Sequence, residues 1–484
     1  MKKSLKKLLS VMLVLALSVS LLSACGKKGT DEGGTTNNNP TTSAGEQKND
    51  GGTTEVKDEG PTPTPEIQMD LGGMEIVVGD WWSPQEAPEP KNQKEEDRLT
   101  YLNNVMNKYN FKIKQVGISD WGGQLELFTT SVMAEDPAAH LFVLEQGWTA
   151  QPLANGMLYD LASLKYFDFT EDKWIKNTID VMTYGNSVYG MASGKSEPRV
   201  GVFWNKRLFK EAGLDPDLPY DLQASGEWTI EKYEELCKTL TRDTNNDGTI
   251  DTYAFASFSV EYNRGALTLF GARYIGRDEN GKFYNETDKP EFLQAAQWSI
   301  DMIKKGYEMP QPEGSNWDWF VPAFLDAKVA MTWAEQYKAG QTFKDMPDDF
   351  GFVMVPKKDA NSPYRVTFRD NVVVMPNTWD QETAEKIAFA YNLFTNPTPG
   401  YEDETEAWKD DYYPVFRDER AVDETLARMY APDTEIINEY QPFVYGTDIG
   451  PDFCWNVYGL HQTPAEKLEE LTTKWITLIE EANN

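Results

Sequence analysis

Met74-Glu-Ile-Val-Val-Gly79, Phe111-Lys-Ile-Lys-Gln-Val-Gly-Ile118 and His140-Leu-Phe-Val-Leu144 are three short strand-like runs, and the segments between them have helical spacing. In 94–109 the apolar positions Leu99, Leu102, Val105, Met106 and Tyr109 form one stripe, and a second helical stretch covers 125–134. The order β-α-β-α-β predicts an α/β fold with a mostly parallel sheet flanked by helices. Ligands of such sheets sit beyond the carboxyl ends of the strands. The residues just past those ends are Asp80-Trp81-Trp82 and Glu145-Gln146-Gly147-Trp148.

Tryptophans at strand ends are not needed to build a sheet, and this chain has fifteen. Trp317-Asp318-Trp319, Trp333-Ala334-Glu335 and Trp121 recur beside polar partners. A single such Trp is most simply a lid on the core. Many, bordered by carboxylates and amides, suit sugars, whose C–H faces stack on rings while their hydroxyls need planar hydrogen-bond partners. A carbohydrate is the expected ligand.

At the front of the chain, Lys2, Lys3, Lys6 and Lys7 precede an apolar run from Leu8 to Leu22, too short for a comfortable bilayer span. It closes on Leu22-Ser23-Ala24-Cys25, which resembles a bacterial lipobox. The expectation is a lipoprotein signal peptide at 1–24, with Cys25 taking a diacylglycerol and becoming the mature N-terminus. Residues 25–65 are then a disordered tether of Gly, Thr, Asn and Pro, since so few apolar side chains cannot offset the entropy of ordering. No later segment is long and apolar enough to span a bilayer. The reading places the protein on the cell membrane, lipid-anchored, at the extracellular face or in the periplasm.

The formal charge is −32, and losing the four leader lysines takes it to −36. That sign argues against nucleic acid as a partner. Two histidines cannot make a His-based catalytic or metal cluster. Cys237 and Cys454 could pair or stay reduced. The folded remainder is longer than one core usually serves, so two lobes are expected.

Several segments resemble one family in order: IVVGDWW at 76–82, HLFVLEQGWTAQPLANGMLYDL at 140–161, SVYGMASG at 187–194 followed by VGVFWNKRLFKEAGLD at 200–215, Phe324 to Trp333, and Phe350 to Pro356. These resemble the family 1 extracellular solute-binding proteins of bacterial ABC importers, of the carbohydrate-binding kind. The resemblance implies a two-lobed periplasmic-binding-protein-like fold with a ligand cleft at the hinge. It places lobe 1 at 66–197 and 364–405, and lobe 2 at 198–363 and 406–484. It implies an oligosaccharide captured by hinge closure and passed to the importer's permease subunits, with no catalysis and no required cofactor. Ligand-binding candidates are Asp80, Trp81, Trp82, Glu145, Trp148, Trp317, Trp333, Glu335, Arg369 and Asp370. Trp81 or Trp82 is expected to face Trp333 across the cleft.

Two further signals stand apart. Thr463-Pro-Ala-Glu466 is a capping box opening a C-terminal helix with Leu468, Leu471, Trp475, Leu478 and Ile479 on one stripe. Asp243, Asn245, Asp247, Thr249 and Asp251 have the spacing of a structural calcium loop, with Gly248 at the turn but Ala254 where the bidentate Glu belongs. A calcium site and an Asx-rich turn both fit. The rival functions are a lipid-anchored glycoside hydrolase, for which no local motif selects a carboxylate pair, and a carbohydrate-binding surface protein, for which no repeats are visible.

Overall fold

Helices and strands alternate along the chain and sort into two four-stranded sheets, with three two-stranded ribbons beside them, in a computed structural model that describes residues 69–402, 406–444 and 449–484. The expected signal peptide at 1–24, Cys25 and the expected tether at 25–65 lie outside the described residues. In chain order the sheet strands are β1 (Met74–Asp80), β2 (Phe111–Gly117), β3 (Leu141–Glu145), β4 (Gly201–Asn205), β5 (Tyr253–Ser257), β6 (Val329–Ala334), β7 (Phe350–Met354) and β8 (Asn371–Val374).

β1 pairs in parallel with β2 and with β3, as the strand-helix-strand order requires. β8 returns from far along the chain and pairs antiparallel with β3, setting Asn371 opposite Glu145. That register brings Arg369 and Asp370 to the carboxyl end of β3. The first intervening helix, Gln93–Tyr109, is capped by the Asn92 side chain on Glu95 N–H. Its stripe is looser than expected: Leu99 is exposed, and Val105, Met106 and Tyr109 do the packing.

The second sheet has the order β7-β4-β6-β5, and only β6 with β5 is parallel. This departs from the mostly parallel sheet expected of both lobes. β4 enters directly from the other lobe instead of through a covering helix, so nothing forces it parallel to its neighbours. The second core also takes in Phe453, Leu468, Leu471, Trp475 and Ile479, which docks the C-terminal helix Pro464–Ala482 with its capping box formed.

Three chain crossings join the lobes, and the first two run side by side as paired crossovers. Pro198 and Phe368 form an antiparallel bridge, with Arg199 N–H on Thr367 O at 2.8 Å and Arg369 N–H on Glu197 O at 3.2 Å. Tyr364, Val366 and Phe368 pack into the second core, so the chain leaves that lobe near 368 and not at 364. Cys237 and Cys454 are buried free thiols and do not pair. Among the described residues no helix is long and apolar enough to cross a membrane.

Candidate functional site

Asp80, at the end of β1, is fully buried and accepts hydrogen bonds from Trp82 N–H, Ser83 N–H, Ser83 Oγ and Gln115 Nε2. Its oxygens are occupied by the loop it folds, which corrects the expectation of a ligand contact: Asp80 positions the two tryptophans that follow. Gly117 N–H donates to Ser83 O at 3.0 Å, and a Cβ at 117 would come within 2.9 Å of that carbonyl. The turn is thus pinned from both strands.

The loops after β1, β2 and β3 together present a run of four rings. Trp82 packs edge-on against Trp81 at 4.7 Å, Trp81 lies 5.5 Å from Trp148, and Trp148 lies 5.4 Å from Trp121. The ends of the run are open, Trp82 being 52% and Trp121 56% exposed. Trp121 donates its Nε1–H to Glu145 at 2.6 Å, and Glu145 also meets Arg369 at 3.6 Å. Arg369 needs the missing side chain at Gly147, where a Cβ would stand 2.8 Å from its Nη2. The ends of β2 and β3 and one crossover therefore meet at Glu145.

Across from this run, a cavity of about 600 Å³ opens between the lobes. Trp82, Gln115 and Ile175 line it from lobe 1, Gln336, Tyr337 and Tyr412 from lobe 2, and Lys195, Glu197 and Asp370 from the crossovers. A smaller cavity of about 200 Å³ is lined by Trp148, Arg264, Arg369 and Glu439. Asp370 accepts from Thr178 Oγ1, Ser196 Oγ and Glu197 N–H, so it chiefly ties the crossovers together. Burial nonetheless raises its pKa, those three hydrogen bonds opposing the rise. Glu335 stands 3.7 Å from Arg199 and 3.6 Å from Lys338, with Tyr337 Oη 3.3 Å away. Glu197 is pushed up to about 7, first by burial and then by the charges of Asp370, Glu335 and Glu145, against the pull of Arg199.

Trp333 is not in this site. It is fully buried in lobe 2, donates Nε1–H to Tyr233 at 2.7 Å, and is boxed by Tyr262 and Trp298. β6 is covered on both faces, so none of its side chains reaches solvent. The lobe 2 rings in the cavity are Tyr412 and Tyr337, the latter four residues past Trp333 with Arg199 stacked over it at 5.7 Å. Trp317 is 64% exposed and leans on Phe258 at 5.3 Å, outside the rings that line the large cavity. Sequence reasoning also missed Glu197, Arg199, Gln336 and Tyr412; the signal available was the charged pair flanking Pro198 and the polar Glu335-Gln-Tyr-Lys338 that ends β6.

The loop 243–251 is exposed, and its carboxylates are turned onto backbone donors. Asp243 accepts from Gly248 N–H, Asp247 from Thr249 N–H, and Asp251 from Thr244 N–H and Oγ1. Among the described residues no three His, Cys, Asp or Glu side chains are gathered as metal ligands.

Comparison with known proteins adds three structures of the same fold. An ABC substrate-binding protein from Listeria monocytogenes, in complex with cycloalternan, matches with a TM-score of 0.56 at 18% identity, over 85% of this chain and 98% of its own. A cyclic alpha-maltosyl-1,6-maltose binding protein from Arthrobacter globiformis matches with a TM-score of 0.60 at 15% identity, over 84% and 99%. UgpB from Mycobacterium tuberculosis, in complex with glycerophosphocholine, matches with a TM-score of 0.58 at 12% identity, over 84% and 98%. No curated protein sequence matches the chain. The model of the bacterial extracellular solute-binding proteins matches residues 93–391, from the first helix of lobe 1 through both crossovers, and the chain belongs to that family.

Proposed function

We propose that this protein captures a carbohydrate, of oligosaccharide size, between its lobes and delivers it to the membrane subunits of an ABC importer. The observation that carries the reading is the run Trp82, Trp81, Trp148 and Trp121, with its end ring bonded to Glu145. Flat rings in sequence accept the C–H faces of successive sugar units, and the polar groups of the crossovers and Gln336 meet their hydroxyls. The structures in complex with cycloalternan and of the cyclic alpha-maltosyl-1,6-maltose binding protein support the same ligand class. The glycerophosphocholine complex means that the fold by itself does not choose it.

Calorimetric titration with maltotetraose, mannotriose, cycloalternan and glycerophosphocholine tests the reading. At least one sugar is expected to bind without product forming. Binding of glycerophosphocholine alone would overturn the carbohydrate reading, and release of hydrolysed sugar would replace it with a glycosidase. Attachment through Cys25 is part of the proposal: Cys25→Ser is expected to release the protein into the medium, and continued detergent-dependent membrane fractionation would refute the anchor.

A further inference from the structure

Most carboxylates that border the cleft have donors already. Asp370 has three, Glu145 has Trp121 and Arg369, and Glu335 stands among Arg199, Lys338 and Tyr337. Glu197 differs. It lines the large cavity, yet its Oε1 is shut off from bulk solvent and has no hydrogen-bond donor. Its backbone is held on both sides by the facing crossover, N–H to Asp370 Oδ1 at 2.7 Å and C=O to Arg369 N–H at 3.2 Å, which sets the Glu197 main chain where the two crossovers pair. A buried acceptor without a donor costs free energy that a ligand donor recovers.

We propose that Glu197 is the hinge residue that reads a ligand hydroxyl, and that its ionisation makes capture tighter above neutral pH and looser in acid. The inference rests on the carbohydrate reading above. A hydroxyl donates a charge-assisted hydrogen bond to the carboxylate, roughly twice as strong as the bond to a neutral acid. The free carboxyl titrates about 7, so the stronger acceptor is present only in the upper part of the physiological range.

The groups facing it set that position. Arg199 on the same crossover favours the ionised form, and the charges of Asp370, Glu335 and Glu145 oppose it. Lys195 lines the same cavity, and the phenols of Tyr337, Tyr412 and Tyr430 also sense the Glu197 charge. Their own pKa values are raised by burial, so they stay neutral through this window. By linkage, a ligand that prefers the carboxylate lowers its pKa and releases protons on binding near neutrality.

The test uses the tightest binder among maltotetraose, mannotriose and cycloalternan, titrated at pH 5.5, 7.0 and 8.5 in buffers of different ionisation enthalpy. Affinity is expected to rise at least about tenfold from pH 5.5 to 8.5, with proton release near pH 7. Glu197→Gln, verified by an unchanged melting curve, is expected to bind as the wild type does in acid and to lose the pH dependence. The wild-type proton count needs no variant and stands if Glu197→Gln does not fold. A sugar that binds with a flat pH profile, or a Glu197→Gln profile that matches the wild type, overturns this inference and leaves the carbohydrate reading intact. A panel in which no sugar binds overturns both.

Discussion

Trp82 and Trp333 show what a single residue can and cannot reveal from sequence. Both follow or end a β-branched strand beside acidic neighbours, yet one is half exposed and the other sealed in lobe 2. The difference lies in what covers the strand, which the local sequence does not state. Trp82→Ala is expected to weaken sugar binding by roughly tenfold or more with little change in melting temperature, since a stacking ring in a desolvated site is worth about 2 kcal/mol. Trp333→Ala is expected to cost about 3–5 kcal/mol of stability, as large-to-small changes of buried aromatic residues do. Calorimetry beside thermal melts checks both, and an affinity loss confined to a folded Trp333→Ala would reverse the assignment. Glu308 offers a pH test. Burial pushes its carboxyl up to about 8, opposed by a hydrogen bond from the Ser257 backbone. The folded state therefore holds a proton that the unfolded chain has already lost, and stability falls as pH rises from the ordinary carboxylate range through 8. Glu308→Gln is expected to raise the melting temperature at pH 8.5 by about 1–3 °C and to leave it unchanged at pH 4; an equal shift at both would remove the titration argument.

Among elements, those with strong local signals were legible. The three parallel strands of lobe 1 and the capped C-terminal helix follow from alternation, helical spacing and Thr463-Pro-Ala-Glu466. The antiparallel entry of β4 and the pairing of β8 with β3 were not, because both depend on where a distant crossover delivers the chain. The same reason hid Glu197 and Arg199, whose role arises only when Pro198 meets Phe368. The loop 243–251 lies between the two cases: its spacing was legible, while its carboxylates are now hydrogen-bonded to Gly248, Thr249 and Thr244. We propose that calcium competes for these oxygens, the carboxylates turning from weak N–H donors to the ion. Added calcium is then expected to raise the melting temperature, EDTA to reverse it, and Asp247→Ala to abolish the response. A melting curve indifferent to calcium would leave the loop as an Asx turn only.

On the scale of the whole molecule, the lobes meet at the paired crossovers, across the cleft, and in a further contact where Arg277 pairs with Asp180 and Tyr184 stacks on Phe283. Trp82, Gln115 and Ile175 face the cavity from lobe 1, and Gln336, Tyr337 and Tyr412 from lobe 2. A ligand that touches both sets gains contacts only when the lobes are together, and that difference in affinity is what shifts the population toward closure. A ligand held by one lobe alone would shift nothing, however tightly it bound. Small-angle scattering with and without a bound sugar distinguishes the two: the radius of gyration is expected to fall on saturation, and Tyr337→Ala is expected to weaken binding while reducing the contraction. Affinity retained with no change in the radius would mean that lobe 1 holds the ligand by itself, and the closing hinge would have to be abandoned even if the sugar were correctly identified.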